Sequence, residues 1–147
     1  MRTSRKFCEK LAEIFGQSEA NVTPTVIEQT RRTLVDSGFI QKSRGRSFAE
    51  MTDREALYLL IAVGLPVSHE ERIEWIESFH AIPDFADRIL DAIVNPDLMA
   101  ITFYKGGVSL LVNGKRQIVG QEKSGTYRIM LNVNPEVFEQ ALFEKGE

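Results

Sequence analysis

Cysteine, long apolar runs and a secretion signal are scarce or missing in this chain. Its single cysteine, Cys8, leaves one chain without an internal disulfide or a cluster of thiolate metal ligands. No apolar run approaches the roughly 18 residues of a membrane-spanning helix. Met1 to Lys10 lacks the apolar core of a signal peptide. We therefore expect a cytoplasmic protein that does not enter a membrane.

Recognisable enzyme motifs are missing as well. Gly106 and Gly107 precede a predicted strand, whereas a phosphate-binding loop leads into a helix. His69 and His80 fall at opposite ends of a predicted helix, and Ile73 stands where a zinc-protease pattern needs its second histidine. No serine or cysteine has the setting of a nucleophile, and the carboxylates are spread over helix surfaces. The sequence thus predicts no catalytic residue, no metal site and no cofactor. We therefore expect a protein that is not an enzyme.

The composition is that of one globular domain, or of a small domain with an appendage. Of 147 residues, 43% are apolar and 27% charged, with a net charge of −3. Residues 1–48 hold nine Lys/Arg and five Asp/Glu, residues 49–97 three and eleven, and residues 98–147 six and five. A basic N-terminal third suits a protein that binds a polyanion there. Ordinary helix-surface charge gives the same distribution.

A helix with clear start and stop signals begins near Pro24. Thr23 is an N-cap residue, and Pro24 loses nothing at the first helical position, where its missing N–H would have no partner. Thr25 with Glu28 fits a capping box one step later. Gly38 supplies the left-handed residue that ends many helices.

The helix has two distinct sides. At about 100° per residue, the residues expected to pack fall on one side and the polar residues on the other. The packed side holds Val26, Ile27, Thr30 and Leu34, and the outward side holds Thr25, Glu28, Gln29, Arg32 and Asp36.

A basic segment follows the helix directly. Lys42, Arg44 and Arg46 flank Gly45 without an acid among them, and the helix itself carries Arg31 and Arg32. Cations this close repel one another unless a polyanion neutralises them, so a phosphate backbone would explain the spacing. The alternative is a solvated loop with accidental charge.

Residues 4–47 resemble a winged helix-turn-helix DNA-binding domain. In that family the recognition helix ends in a pattern like Leu34 to Ile40, and a basic wing like Lys42 to Arg46 follows. The resemblance implies that residues 24–37 enter the major groove of double-stranded DNA. Thr25 and Gln29 would then read bases, Arg32 would lie beside them, and phosphates would be held by Arg31, Arg32, Lys42, Arg44 and Arg46. This requires the arginines to share one surface without packing against the molecule's own acids.

The rest of the chain reads as further helices and then strands. A helix is predicted from Ser4 to Phe15, stopped by Gly16, with Cys8 as a buried, inert thiol. Capping boxes open helices at Thr52–Glu55 and Ser68–Glu71, and another helix follows Pro83–Asp84. Predicted strands cover residues 101–104, 108–112, 116–120 and 126–133, with an Asn113–Gly114 hairpin turn, and a last helix follows Asn134–Pro135.

The sequence therefore predicts an α+β protein. Residues 1–97 form a helical, helix-turn-helix-like part, and residues 98–147 form an antiparallel meander with a closing helix, either as a second domain or as one continuous fold. We expect a small sequence-specific DNA-binding protein, a transcription regulator of bacterial or phage type that forms a homodimer. The alternative is a non-enzymatic interaction or assembly module that uses the sheet and the apolar helix 52–63.

Overall fold

The computed structural model describes residues 2–16, 22–42, 50–121 and 130–143. The chain forms two compact units, Met1–Gly64 and Leu65–Glu147, called here the N-terminal and C-terminal units. Over the described ranges, no helix is long and apolar enough to cross a membrane. The elements in chain order are α1 (Ser4–Gly16), α2 (Pro24–Asp36), α3 (Asp53–Gly64), α4 (His69–His80), α5 (Phe85–Ile93), β1 (Leu98–Tyr104), β2 (Gly107–Val112), β3 (Lys115–Gly120), β4 (Leu131–Val133) and α6 (Pro135–Phe143).

The N-terminal unit is built from three helices. Helix α2 packs against both α1 and α3, and α1 also contacts α3. Helices α1 and α2 each bury one stripe because their apolar residues recur at helical spacing. The buried apolar side chains of α1 and α2 and of the segment after α2 are Phe7, Leu11, Ile27, Leu34 and Ile40.

Helix α3 is buried almost throughout. Every residue from Glu55 to Val63 is at most 9% exposed. Its start is the predicted capping box: the Glu55 N–H donates to Thr52 Oγ1 at 3.2 Å, and the Thr52 N–H donates to Glu55 Oε1 at 2.9 Å. The helix is a core element of the single chain, so little of its side-chain surface remains for a partner.

The C-terminal unit contains a four-stranded antiparallel sheet of order β3-β2-β1-β4. Strands β1, β2 and β3 form a meander, and β4 returns to pair with β1, Thr102 facing Asn132. The β2–β3 turn has positive φ at Asn113 (51°) and Gly114 (78°), as the predicted type I′ hairpin requires. The fourth strand was predicted from Thr126; residues 122–129 lie outside the described ranges.

Aromatic rings fill the core of this unit. Phe79 of α4 stacks on Phe85 of α5, with ring centroids 4.9 Å apart, and meets Phe103 of β1 edge-on at 5.7 Å. Phe103 in turn lies 5.9 Å from Phe138 of α6. Helix α6 thus covers one sheet face, as expected for a closing helix.

The opposite sheet face is half-buried at Thr102, Ser109 and Ile118, which are paired across β1, β2 and β3. The change from helix to strand predicted at residues 97–98 is confirmed, since β1 begins at Leu98. This boundary between helices and strands lies inside the C-terminal unit, because α5 packs on β3 and α6 packs on both α5 and β1.

Candidate nucleic-acid interface

Helix α2 is fixed at both ends by its own sequence. Thr23 Oγ1 accepts a hydrogen bond from the Val26 N–H at 3.2 Å, so the cap is Thr23 rather than Thr25. At the other end Gly38 has φ +84°, and the Phe39 N–H donates to the Leu34 carbonyl at 2.9 Å. The helix therefore begins and ends where the sequence predicts.

One stripe of α2 faces outward. Ile27, Thr30 and Leu34 are buried. The exposed side chains recur every three or four residues along the opposite side, which is the spacing of a single helix face. We call this face the α2 stripe; it consists of Thr25, Gln29, Arg32 and Asp36.

Glu28 binds both arginines of the helix. Its carboxylate accepts two hydrogen bonds from Arg31, Nη2 to Oε1 at 2.6 Å and Nε to Oε2 at 3.0 Å. Arg32 Nε donates to the same Oε1 at 3.1 Å. The Arg31 side chain is 23% exposed and that of Arg32 is 72% exposed. Arg31 is therefore held along the helix, whereas Arg32 still reaches solvent.

These contacts stabilise the charged forms. The hydrogen bond from Arg31 holds the pKa of Glu28 below its usual range, and the bond to Glu28 raises the pKa of Arg31. The three groups together carry one net positive charge. Arg31 and Arg32 do pack against one of the molecule's own acids, Glu28, which offsets one of their two charges and counts against both as phosphate ligands. For Arg44 and Arg46, which lie outside the described residues, the requirement stays a prediction.

The basic segment after α2 has both of its ends anchored. At one end, the Glu55 carboxylate accepts the Gln41 N–H as well as the Thr52 N–H. At the other end, Glu50 forms a β-bridge with Thr3, and the Met51 N–H donates to the Arg2 carbonyl at 2.7 Å. These contacts fix the described residues on either side of the segment. We call residues 42–49 the basic loop after their sequence; the structure describes only Lys42 of them.

Of the three cations predicted in the basic loop, the structure describes one. Lys42 is exposed. Arg44 and Arg46 lie outside the described residues. The anchored ends place Lys42 directly beside the start of α3, because Gln41 and Thr52 share the carboxylate of Glu55.

A hollow of about 570 Å³ opens between α1 and α2. Its charged lining comes from three parts of the N-terminal unit: α1, α2 and the residue that begins the basic loop. The lining contains four cations and two acids, Arg5, Arg31, Arg32, Lys42, Glu28 and Asp36. Arg32 and Asp36 belong to both the hollow and the α2 stripe, so the two surfaces are continuous.

The sequence interpretation missed one residue of this surface, Arg5, and one contact that supports it, the bond between Glu55 and Gln41. Arg5 of α1 joins the cations of α2 only because the two helices pack side by side. Glu55 was identified as a cap, but its second bond, to Gln41, depends on the approach of α2 and α3. The ion pairs of Glu28 did have a local signal, since acids and cations three and four residues apart meet on a helix.

Cys8 lies on α1 close to these groups. Burial, with a smaller contribution from the charge of Glu28, raises the pKa of its thiol to about 12. The thiol is therefore protonated at neutral pH, which suits an inert side chain. Cys8 is half-buried and not buried as the sequence predicts, because it lies beside the buried stripe of Phe7 and Leu11. Within the part of the chain that the structure describes, no three His, Cys, Asp or Glu side chains are grouped to hold a metal ion.

No family model matches the chain, and comparisons with characterised proteins and with solved structures found no match either.

Proposed function

We propose that this protein binds double-stranded DNA through its N-terminal unit, as a small sequence-specific transcription regulator of bacterial or phage type. The observation that carries the proposal is the α2 stripe, in which Thr25, Gln29 and Arg32 are exposed along one side of a helix. Hydroxyl, amide and guanidinium groups are the side chains that read base edges. Binding is non-covalent and needs no catalytic group.

The dimensions of α2 suit the major groove. A helix of 13 residues is about 20 Å long, and the groove is about 12 Å wide, enough to admit one helix. The caps at Thr23 and Gly38 fix the ends of the helix before any ligand binds. The helix is therefore already formed when the duplex binds. The entropy cost of ordering the helix belongs to folding and does not reduce the binding affinity.

Phosphate contacts in this proposal come from the basic loop and from Arg32. The anchored ends hold Lys42 close to the C-terminal end of α2, where a flanking strand of the duplex would pass. Arg44 and Arg46 follow along the same loop in the sequence. Arg31 has a lesser part than the sequence predicted, because Glu28 uses its Nε and one Nη.

The alternative function, an interaction or assembly module, has one observation in its favour. The half-buried sheet face at Thr102, Ser109 and Ile118 leaves surface for a partner, and Met99 of β1 is 61% exposed. The other surface it needs, α3, is buried in the single chain. A homodimer would suit both functions, since dimeric regulators bind two half-sites about one helical turn apart.

Charge reversal in the basic loop tests the proposal. The unmodified protein should bind a labelled duplex of about two helical turns, with affinity that falls steeply between about 50 mM and about 200 mM NaCl. Arg44→Glu with Arg46→Glu should abolish binding at both salt concentrations, because each reversal replaces an attraction to phosphate with a repulsion. The circular dichroism spectrum should be unchanged. Fluorescence anisotropy measures the binding.

The matched control is Lys115→Glu with Arg116→Glu in the C-terminal unit. Both side chains are exposed at the start of β3, and the charge change is the same. This variant should keep most of the affinity. If it loses as much as the loop variant, or if the unmodified protein binds no duplex at low salt, the proposal is wrong.

A further inference from the structure

The hollow between α1 and α2 collects positive charge from distant parts of the sequence. Arg5 comes from the first turn of α1, Arg32 from the last turns of α2, and Lys42 from the segment beyond. Four cations and two acids leave the lining with about two net positive charges. Bringing like charges together costs free energy that a bound anion recovers.

The lining cations differ in how firmly the protein already holds them. Arg31 is fixed by two bonds to Glu28. Arg5 Nε lies 3.7 Å from Glu9 Oε1, a loose contact, and the two side chains are 72% and 68% exposed. Exposed pairs of this kind hold their partners weakly. Arg5 and Lys42 are exposed and can turn to a ligand in the hollow. Arg32 donates to Glu28 through Nε at 3.1 Å, but its side chain is 72% exposed, so it can reach a ligand with its outer nitrogens while keeping that bond.

The position of the hollow beside the α2 stripe indicates which anion it meets. Arg32 lines the hollow and also lies on the stripe. A duplex held against the stripe carries a sugar-phosphate backbone along each edge of the groove, within reach of side chains flanking the helix. In that arrangement the edge on the α1 side would pass over the hollow.

We infer that the hollow seats a backbone phosphodiester of the bound duplex, held by Arg5, Arg32 and Lys42, with Glu28 limiting how much positive charge the site presents. This inference rests on the proposed function and adds to it a contact from α1. The net charge of the lining suits one or two phosphates and not a long run of them. Because Glu28 offsets one arginine charge, it lowers the nonspecific attraction of α2 to polyanions.

Removing Arg5 tests the assignment. Each phosphate contact contributes about 0.9 to the slope of log affinity against log salt concentration. Arg5→Ala should therefore weaken duplex binding and lower that slope by about 0.9. Lys6→Ala is the matched control: Lys6 is the next residue of α1, it is exposed, and it is not part of the described lining of the hollow. It should leave both quantities nearly unchanged.

Glu28→Gln is a second variant with the opposite prediction. The neutral amide no longer offsets an arginine charge, so one more positive charge is available to the duplex. Affinity at low salt should rise, and the slope of log affinity against log salt concentration should become steeper by about 0.9. If Arg5→Ala and Lys6→Ala behave alike, or if Glu28→Gln weakens binding, the inference is overturned while the proposed function stands. If the unmodified protein binds no duplex, the proposed function itself fails.

Calorimetric titration with inorganic phosphate separates the duplex from a small ligand. We expect no saturable binding at micromolar phosphate, because a single anion lacks the contacts that the α2 stripe makes with the groove. Tight phosphate binding that Arg5→Ala removes, with duplex affinity unchanged, would assign the hollow to a small anion and overturn the inference.

Discussion

The two units of the chain use their side chains differently. The N-terminal unit holds ten Lys/Arg and eight Asp/Glu, whereas the C-terminal unit holds eight and thirteen. The first is slightly basic and the second distinctly acidic. A polyanion is therefore attracted to one unit and repelled by the other, which favours one binding surface over nonspecific coating.

Both units have an apolar core, but the N-terminal unit also has polar anchors beside its candidate surface. In the C-terminal unit the rings of Phe79, Phe85, Phe103 and Phe138 contact one another in the core. In the N-terminal unit, buried or half-buried polar groups set the positions that matter for the surface. Glu55 ties the segment after α2 to the start of α3, and Glu28 orients Arg31.

This contrast shows where a substitution should affect stability and where it should affect binding. An aromatic core gains its free energy from apolar area and close packing, which do not depend on a ligand. Polar anchors contribute less to folding, but they decide where charged side chains lie. The predictions below test this division.

The largest expected effect is in the aromatic core. Phe79→Ala should lower the free energy of unfolding by about 4 kcal/mol, because it removes a fully buried ring that contacts Phe85 and Phe103. Phe143→Ala, at a ring that is 37% exposed on α6, should cost less than about 1 kcal/mol. Urea unfolding followed by circular dichroism measures both. Equal losses would show that the ring cluster is not the main support of this unit.

The next effect is at the polar anchor of the N-terminal unit. Glu55→Ala leaves the N–H groups of Gln41 and Thr52 without their acceptor, so the free energy of unfolding should fall by about 2 kcal/mol. Duplex affinity should fall as well, even at temperatures where the variant is folded. The reason is that Gln41, the residue before Lys42, loses the hydrogen bond that holds it to the start of α3.

Glu13→Ala is the control for this anchor. Glu13 is an exposed acid on α1, so its removal should change stability by less than about 0.5 kcal/mol. A Glu55 variant that is destabilised but binds the duplex normally would show that the anchor serves folding alone.

Local features were the ones that the sequence predicted well. The cap at Thr23, the stop at Gly38 and the Asn113–Gly114 turn depend on a few adjacent residues, and each is present where expected. These predictions succeed because neighbouring residues supply the whole physical cause.

Features that depend on packing were beyond the sequence. Nothing local indicates that Arg5 and Lys42 line one hollow, or that Glu55 accepts the Gln41 N–H. The mixed charge of the hollow arises only when α1 lies beside α2. Glu28 is the intermediate case: it was assigned to the outward side, yet its spacing from Arg31 and Arg32 already favoured ion pairs over contacts with DNA.

The smallest expected effect compares two threonines at the start of α2. Thr23→Ala removes the cap and should cost about 1 kcal/mol of stability. Thr25→Ala, at an exposed position inside the helix, should leave stability unchanged or slightly higher, since alanine is the better helix former.

Duplex binding should show the reverse order. The folded Thr23 variant should bind normally, whereas Thr25→Ala should weaken binding to the cognate sequence about fivefold, the loss expected for one base contact of about 1 kcal/mol. Affinity for a random duplex should be unchanged in both, because phosphate contacts do not depend on sequence. Two threonines two positions apart, one acting on folding and the other on recognition, would separate the scaffold of α2 from its base-reading side. If Thr25→Ala weakens random and cognate duplexes equally, the stripe does not read bases.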